Sequence, residues 1–321
     1  MTGHTAERVT LARLPSGVAI ETTVHTYEGS EDGPTVYVQA AQHGREVNGT
    51  EVLRRVHDRI DPTELPGRVV AVPVADPLTF DRVSYTTPEA LDSVNDNMNR
   101  VWPGDPEGSI HERMADRLWT YAGEADAIVD LHTGSPDMAT HVVYRRDDDR
   151  SRALAEAFGT DLLLAEAAGD DADEEWHDRD FSGKLRVAAT DADVPSITPE
   201  LAHNKQLVEP AIRTGVTGFL NVLRDRGMLP GDVVDNGARR KATNHLGRVS
   251  AADSGLFRAD PDRTVGESVG ADEHVGTLHD PTTYEVLQEV RTDRAGILYT
   301  LTREATVTAG QALVRVAEPL E

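Results

Sequence analysis

The chain has 321 residues, 56 acidic against 32 basic side chains, a formal net charge of −24 and no cysteine. This charge disfavours binding to nucleic acid or to an anionic membrane, and the lack of cysteine means that only His, Asp or Glu could hold a metal. No apolar run approaches the ~20 residues that span a bilayer, and the polar N-terminus lacks the apolar core of a signal peptide, so we expect a cytoplasmic protein.

The acidic residues are dispersed along the chain, with short clusters only at 147–149 and 170–175. Two explanations stay open: an acidic surface that binds a partner, or adaptation to a high-salt cytoplasm in which screening suppresses self-repulsion. A tail or a binding patch would concentrate the acids, so the dispersal favours salt adaptation. The sequence is compatible with a homo-oligomer but does not determine the oligomeric state.

The first two-thirds of the chain alternates segments with strand and helix patterns. Strands are predicted at 17–27, 34–42, 68–74, 127–131 and 195–201, and helices at 46–60, 111–123, 151–159 and 207–227. This alternation predicts an α/β fold with a mostly parallel or mixed sheet and helices on both faces.

The tail has a different pattern. Short strand candidates are punctuated by Gly, Pro and Asp at 255–257, 274–278, 284–290, 296–301 and 312–317, and no segment has a convincing helix pattern. We therefore predict a catalytic domain at 1–235 and a small, barrel-like, β-rich domain at 236–321.

The segment 42–49, Gln-His-Gly-Arg-Glu-Val-Asn-Gly, follows a predicted strand and opens a helix. The three-residue spacing of His43 and Glu46 lets both side chains turn toward one point, and an imidazole with a carboxylate suits Zn²⁺. Gly44 allows close backbone approach, and Gly49 suits tight packing early in the helix. Alone, such a pair is weak evidence for a metal site.

His132 strengthens the hypothesis because it ends another predicted strand, Asp-Ala-Ile-Val-Asp-Leu-His. In open α/β sheets, ligands bind at the carboxyl ends of the strands, where His43 also lies. Asp130 is two residues earlier on the same face and could orient a ligand. For an isolated histidine, a satisfied side chain at a strand end is the commoner outcome.

Two further segments carry polar side chains suited to a substrate site. Glu200 ends the apolar strand Pro-Ser-Ile-Thr-Pro-Glu, where a carboxylate is costly unless it is solvated, paired or functional. Beside a water activated by zinc, it could act as a general base and then as a proton donor. Asn99 and Arg100 offer an amide and a planar guanidinium that could hold a carboxylate.

Taken in order, these segments resemble the succinylglutamate desuccinylase/aspartoacylase family, which has the zinc-carboxypeptidase-like fold. Gln-His-Gly-Arg-Glu-Val-Asn-Gly resembles the family's His-Gly-Asp/Arg-Glu-x-x-Gly motif, which implies His43 and Glu46 as ligands of one Zn²⁺ ion. Val-Asp-Leu-His-Thr-Gly resembles the strand with the third ligand, which implies His132. The resemblance covers most of the chain and extends loosely into the tail, where the family has a small barrel-like domain.

The resemblance also implies roles in substrate binding and catalysis. Met-Asn-Arg-Val-Trp-Pro-Gly resembles the family's Asp-Leu-Asn-Arg-x-Phe-Pro-Gly segment, implying Asn99 and Arg100 as carboxylate contacts, and the strand ending at Glu200 resembles the one with the catalytic Glu. Relatives usually carry a further Arg upstream of Asn-Arg, thought to polarise the scissile carbonyl. Arg82 is the nearest Arg in that stretch, with Tyr85 close to the aligned position, and we predict Arg82 as the oxyanion stabiliser.

The predicted function is a zinc-dependent hydrolase that cleaves the amide bond of a small N-acylated amino acid with a free carboxylate. A zinc carboxypeptidase acting on peptides shares the ligands and the fold, although a tail packed over the site would exclude long peptides. A non-catalytic binding protein could also keep the fold, but it has no need for a base such as Glu200. Co²⁺ or Mn²⁺ would fit the same ligand types.

Overall fold

A computed structural model describes residues 2–88, 91–134, 137–172, 174–234, 239–243 and 247–320. The first eight strands are β1 (Gly3–Arg13), β2 (Ala19–Glu28), β3 (Glu31–Ala40), β4 (Pro66–Val72), β5 (Ala127–Gly134), β6 (His141–Arg145), β7 (Leu162–Glu166) and β8 (Ser196–His203). The helices are α1 (Asn48–His57), α2 (Pro77–Phe80), α3 (Ile110–Ala122), α4 (Asp149–Phe158), α5 (Glu174–Asp178), α6 (Leu185–Asp191) and α7 (Glu209–Asp225).

The later part of the chain, as far as the structure describes it, contains strands but no helix. These are β9 (Arg240–Thr243), β10 (Val249–Ser250), β11 (Gly255–Ala259), β12 (Ser268–Val269), β13 (His274–His279), β14 (Val286–Arg291), β15 (Gly296–Leu301), β16 (Thr306–Val307) and β17 (Ala312–Pro319). Four of them form a separate antiparallel sheet in the order β14-β13-β11-β16. The prediction of a small β-rich module is confirmed.

The large sheet is mixed. Its order is β1-β2-β4-β3-β5-β8-β6-β7, continued by β9, β17, β15 and β12. Strands β4, β3, β5 and β8 run parallel, whereas β6 is antiparallel to β8 and β1 and β2 form an antiparallel hairpin at the edge. The predicted α/β fold is therefore confirmed.

Helices cover both faces of this sheet because its central strands are apolar on both sides. On β3, Val36 and Val38 pack into a core shared with α1, α4 and α7. Tyr37, which points to the opposite face, packs with Ile128 into a second core that includes side chains of α3 and α6. Successive strand residues point to opposite faces, so one short strand serves both layers.

Three strands of the large sheet were not predicted from the sequence. The segment predicted as one strand at 17–27 is the second arm of a hairpin whose first arm, β1, was not predicted because its outer half is polar and exposed. The strands β6 and β7 were also missed, since five-residue buried runs cannot be distinguished from helix segments by periodicity.

The predicted domain boundary at 235/236 lies outside the described residues, because the structure does not describe 235–238. Just beyond it, β9 pairs with β7 of the first part and with β17 of the tail, so the large sheet continues across this region. The boundary stays a prediction. Among the described helices, none combines the length and apolarity needed to cross a membrane.

Candidate active site

The carboxyl ends of three parallel strands meet at one edge of the sheet. His43 follows β3, His132 lies on β5 and Glu200 on β8. The register of β5 against β8 places His132 directly beside Glu200. Three of the chemically important residues thus come together where the topology predicts a ligand site.

The turn between β3 and α1 is sterically demanding. Ala41 has a left-handed φ of 51°, which turns the chain out of the sheet. A Cβ on Gly44 would lie 2.0 Å from the backbone of Thr79, so only glycine fits there. A Cβ on Gly49 would lie 2.7 Å from Cβ of Leu131, which lets α1 pack closely against β5. These contacts fix the positions of the polar residues in between.

His43, Glu46 and His132 form a buried group with one carboxylate at its centre. Oε1 of Glu46 lies 3.0 Å from Nδ1 of His43, and Oε2 lies 2.9 Å from Nδ1 of His132. The exposed fractions are only 2%, 5% and 4%. One donor atom from each side chain lies within 4.8 Å of the others, which is close enough for a shared metal ion.

The outward-facing nitrogens of both histidines are held by other side chains. Nε2 of His132 lies 2.9 Å from Oδ2 of Asp130, as the sequence predicted for an orienting residue. Nε2 of His43 lies 3.2 Å from Oδ1 of Asn97. If both Nε2 atoms carry the proton, both Nδ1 lone pairs face Glu46. Two imidazole acceptors directed at a carboxylate suit a bound cation between them.

The electrostatics of this group also favour positive charge. Burial would raise the pKa of the Glu46 carboxyl, but His43 and His132 together hold it well below its usual range. Burial would lower the pKa of His132, yet Asp130 and Glu46 raise it well above its usual value. A divalent cation would replace the proton that these carboxylates attract. The donor set therefore fits Zn²⁺, for which His₂Glu with an open position is a recurrent arrangement.

Glu200 faces the same space from β8. Enclosure by protein and the nearby charge of Glu46 raise the pKa of Glu200 to about 7, although His132 and Lys184 act in the opposite direction. Two residues later, still within β8, Ala202 has a left-handed φ of 59°. A carboxyl group with a pKa near neutrality can both accept and donate a proton at physiological pH.

These side chains border a cavity of about 300 Å³. Its basic lining residues are Arg45, Arg100, Arg179, Lys184, Arg186 and Arg315, and its acidic ones are Glu46, Glu166 and Glu200. Arg186 and Lys184 pair with Glu166. Burial and the neighbouring arginines lower the pKa of Lys184 to about 7, despite this partner. The cavity is therefore rich in positive charge even after its internal ion pairs are formed.

Asn99 and Arg100 also line this cavity. Arg100 is held by its own hydrogen bonds: Nε donates to the carbonyl of Arg179 at 2.8 Å, and Nη1 donates to the carbonyl of Asn99 at 2.6 Å. Its guanidinium lies over the ring of Phe181 at 4.6 Å. The structure thus brings both predicted substrate-binding residues to the cavity with a fixed guanidinium.

Comparison with known proteins agrees with this arrangement. The family model for the succinylglutamate desuccinylase/aspartoacylase catalytic domain matches residues 32–226. The chain belongs to this family. A curated relative, the N-alpha-acetyl-L-2,4-diaminobutyric acid deacetylase of Halomonas elongata, is 28% identical over 90% of this chain and 84% of its own length.

Solved structures of the family have the same fold. A succinylglutamate desuccinylase/aspartoacylase from Rhodobacter sphaeroides is 26% identical, with a TM-score of 0.83 over 100% of this chain and 97% of that one. The product-bound ectoine utilization protein EutE (DoeB) from Ruegeria pomeroyi is 21% identical, with a TM-score of 0.86 over 99% of this chain and 96% of that one. The similarity includes the C-terminal strands as well as the part matched by the family model.

One residue selected from the family pattern is not brought to the cavity. Arg82 is exposed, and its Nη1 donates to the carbonyl of Leu78 at 2.9 Å. Arg45, within the metal-site motif itself, lines the cavity instead. Its guanidinium carbon lies 4.9 Å from the centre of the Tyr85 ring, and this ring stacks on His43 at 4.0 Å.

Several cavity residues were not predicted from the sequence. Lys184 is one of only three lysines in the chain, which could have drawn attention to it. Tyr299 on β15 and Arg315 on β17 also line the cavity, but nothing in their local sequence indicates it. They arrive there because the C-terminal strands join the edge of the large sheet.

Proposed function

We propose that this member of the family is a zinc-dependent deacylase that hydrolyses the amide bond of a small N-acylated amino acid with a free carboxylate. The family consists of acyl-amino-acid deacylases. The observation that carries the proposal is that the buried His43–Glu46–His132 group borders the same cavity as Glu200. Side chains able to bind a metal, a carboxyl group suited to proton transfer and a cavity for substrate therefore lie within one site.

His43, Glu46 and His132 would hold the metal, with Asp130 and Asn97 fixing the two rings. A zinc ion there would supply a Lewis acid that activates water and polarises the scissile carbonyl. Co²⁺ and Mn²⁺ remain alternatives for the same N/O ligands. The physical support is the pair of Nδ1 atoms at 3.0 and 2.9 Å from the two oxygens of one carboxylate.

Glu200 would carry the proton. In its ionised form it accepts a proton from the attacking water, and it then donates that proton to the nitrogen of the leaving amine. A pKa raised to about 7 allows both steps without a large energetic penalty. The position of Glu200, directly beside His132 across the strand pair, supports this role.

Arg100 and Asn99 would bind the free carboxylate of the substrate. The cavity lining contains six basic and three acidic side chains, an excess of three positive charges within the described residues. Such an excess attracts an anionic substrate. We propose Arg45, rather than Arg82, as the guanidinium beside the scissile carbonyl, because Arg45 lines the cavity and its buried Nε has no hydrogen-bond partner among the described residues.

The size of the cavity favours small substrates. About 300 Å³ is at the lower end of the range of small-molecule cavities, which suits one acylated amino acid. Tyr299 and Arg315 limit the space from the C-terminal side. The carboxypeptidase alternative is disfavoured for this reason, and the binding-protein alternative leaves Glu200 without a role.

A panel of substrates tests the proposal. We would compare N-acetyl-2,4-diaminobutyrate, which follows the name of the curated relative, with N-acetylaspartate, N-succinylglutamate and a dipeptide series. For the best substrate, the matched carboxamide lacks only the free carboxylate. We expect hydrolysis of at least one N-acyl amino acid and a large loss with its carboxamide. Preferential hydrolysis of dipeptides would support the carboxypeptidase alternative instead.

The composition supports a further proposal, which concerns the salt concentration at which the protein works. The net charge of −24 supports a high-salt cytoplasm as the place of action. The unfolding temperature should then rise as KCl is increased toward molar concentrations, because screening reduces repulsion between the carboxylates. A temperature that is constant or falls with KCl would count against salt adaptation.

A further inference from the structure

A second group of side chains of a kind that binds metal ions lies outside the active site. His4 is on β1, His25 is on β2 and His57 is the last residue of α1. One ring nitrogen from each lies within 4.8 Å of the others. We propose that these three histidines form a surface binding site for a divalent transition-metal ion, such as Zn²⁺, separate from the catalytic centre.

The three rings already contact one another. Nε2 of His4 lies 3.0 Å from Nδ1 of His25, and their rings stack with centres 5.2 Å apart. The ring of His57 meets that of His4 edge-on at 4.8 Å. Zinc–imidazole bonds of 2.0–2.1 Å place tetrahedral donor atoms about 3.4 Å apart. Small rotations of two exposed rings and one half-buried ring would reach this geometry.

Tyr27 holds one of the rings in place. Its Oη lies 2.8 Å from Nδ1 of His57, and its ring stacks on His4 with centres 4.7 Å apart. Because Nδ1 of His57 is hydrogen-bonded to this tyrosine, Nε2 of His57 is left to bind the metal. Fixing a metal-binding ring through its other nitrogen is the usual role of such a hydrogen-bond partner. Tyr27 is a buried core residue, so this orientation is anchored to the protein interior.

The charges around the group favour a bound cation over protonated rings. Partial burial, and then repulsion from neighbouring histidines, lower the pKa of both His4 and His25 and so favour their neutral imidazoles. Neutral imidazole is the form that binds metal. Burial, and then the carboxylate of Asp58 next to His57 in the chain, raise the pKa of Tyr27 to about 12, and Asp58 also pairs loosely with Arg54 at 4.0 Å.

Three imidazoles without a carboxylate select a borderline metal such as Zn²⁺, Ni²⁺ or Cu²⁺ and not Ca²⁺ or Mg²⁺. Solvent can complete the coordination because two of the rings are exposed. The site lies at the opposite end of α1 from the His43–Glu46 turn, and the 10 residues of this helix span about 15 Å. A metal there would link the edge hairpin β1–β2 to α1 and stabilise the fold without contacting substrate.

Metal content and thermal unfolding test this site. We would strip the full-length protein with a chelator, add back Zn²⁺ alone, remove unbound ion, and measure zinc per chain for wild type, His25→Ala and His43→Ala. We expect two zinc ions in wild type and one in each variant. Adding Zn²⁺ to stripped His43→Ala, in which only the surface site can fill, should raise the unfolding temperature by on the order of 5 °C, and the double variant His25→Ala/His43→Ala should show no rise.

His279→Ala is the matched control, because His279 lies on β13 outside both groups and should leave the stoichiometry at two. Unchanged deacylase activity and an unchanged unfolding temperature without metal would show that His25→Ala is folded. If wild type binds only one zinc ion and His43→Ala loses it, the surface site is refuted while the active site stands. If the single ion is lost only in His25→Ala, the catalytic zinc is refuted and the surface site stands.

Discussion

The two ends of α1 carry contrasting groups of metal-type side chains. The group before its first turn is buried, contains a carboxylate and borders the cavity that Glu200 also lines. The group at its last residue contains three imidazoles, of which two are exposed, and neither His4, His25 nor His57 lines that cavity. The histidines of both groups are oriented by outer partners, Asp130 and Asn97 in one case and Tyr27 in the other.

This contrast shows what catalysis needs beyond ligand atoms. Burial strengthens the electrostatic interactions of a bound cation, because the surrounding dielectric is low. A cavity with a carboxyl group of raised pKa adds substrate binding and proton transfer. The first group borders such a cavity, which Glu200 and the basic side chains line. The second group has donor atoms alone, so we expect binding and stabilisation there without turnover.

Removing one ligand from each group should give the largest difference in deacylase activity between two variants. His43→Ala should abolish deacylase activity, because it removes one of the three residues that would hold the metal, and with it the Lewis acid for water and the scissile carbonyl. His25→Ala should keep activity within about twofold of wild type while losing the other ion. Initial rates measured at saturating Zn²⁺ check both expectations. Equal loss of activity in the two variants would mean that the groups do not have separate roles.

Glu200→Gln should lower kcat by about 10³-fold, since a general base typically contributes 10²–10⁴-fold. The zinc content of this variant should equal that of wild type, because Glu200 is not a ligand. Glu209→Gln, which changes an exposed carboxylate on α7, is the control and should keep full activity. A Glu200→Gln enzyme with near-normal kcat would remove Glu200 from the proposed chemistry.

Arg100→Lys should raise KM by roughly 10- to 100-fold for a substrate with a free carboxylate, because lysine cannot reproduce the planar two-donor geometry. The same variant should change KM much less for the matched carboxamide. Arg82→Lys is a matched control, since this exposed arginine does not line the cavity. A larger effect from Arg82 than from Arg100 would reverse our assignment of the two arginines.

The pH profile should show a single acid limb that belongs to Glu200. The base works only when ionised, so kcat/KM should fall as pH decreases through its pKa. Burial raises this pKa to about 7, and a metal on Glu46 and His132 would lower it, which places the limb at or below neutral pH. Below the limb, activity should drop about tenfold per pH unit. The residual activity of Glu200→Gln should lack this limb.

The sequence predicted the elements that local patterns determine. The strand ends carrying His43, His132 and Glu200 could be recognised because apolar runs lead directly into polar residues, and the parallel topology then brings such ends together. Arg82 and Arg45 could not be ranked in this way. Both lie in or near turns, and only the folded chain shows that Arg82 is exposed and that Arg45 lines the cavity.

Residues distant in sequence were the least predictable. Arg315 reaches the cavity because β17 pairs with β9, which in turn pairs with β7. This depends on strand pairings that no local pattern encodes. The same holds for His4, His25 and His57, whose spacing matches no ligand motif and which meet only because the β1–β2 hairpin pairs in one register beside the end of α1.

Metal removal and restoration tests the central claim most directly. Wild-type protein would be stripped with a chelator, and acetate release from the best N-acetyl amino acid would be followed by NMR before and after stepwise addition of Zn²⁺. Our account predicts no release without metal and recovery of activity that saturates once the His43–Glu46–His132 group is filled. Continued release by the stripped protein, or no release at any zinc content from a folded chain, would contradict the account.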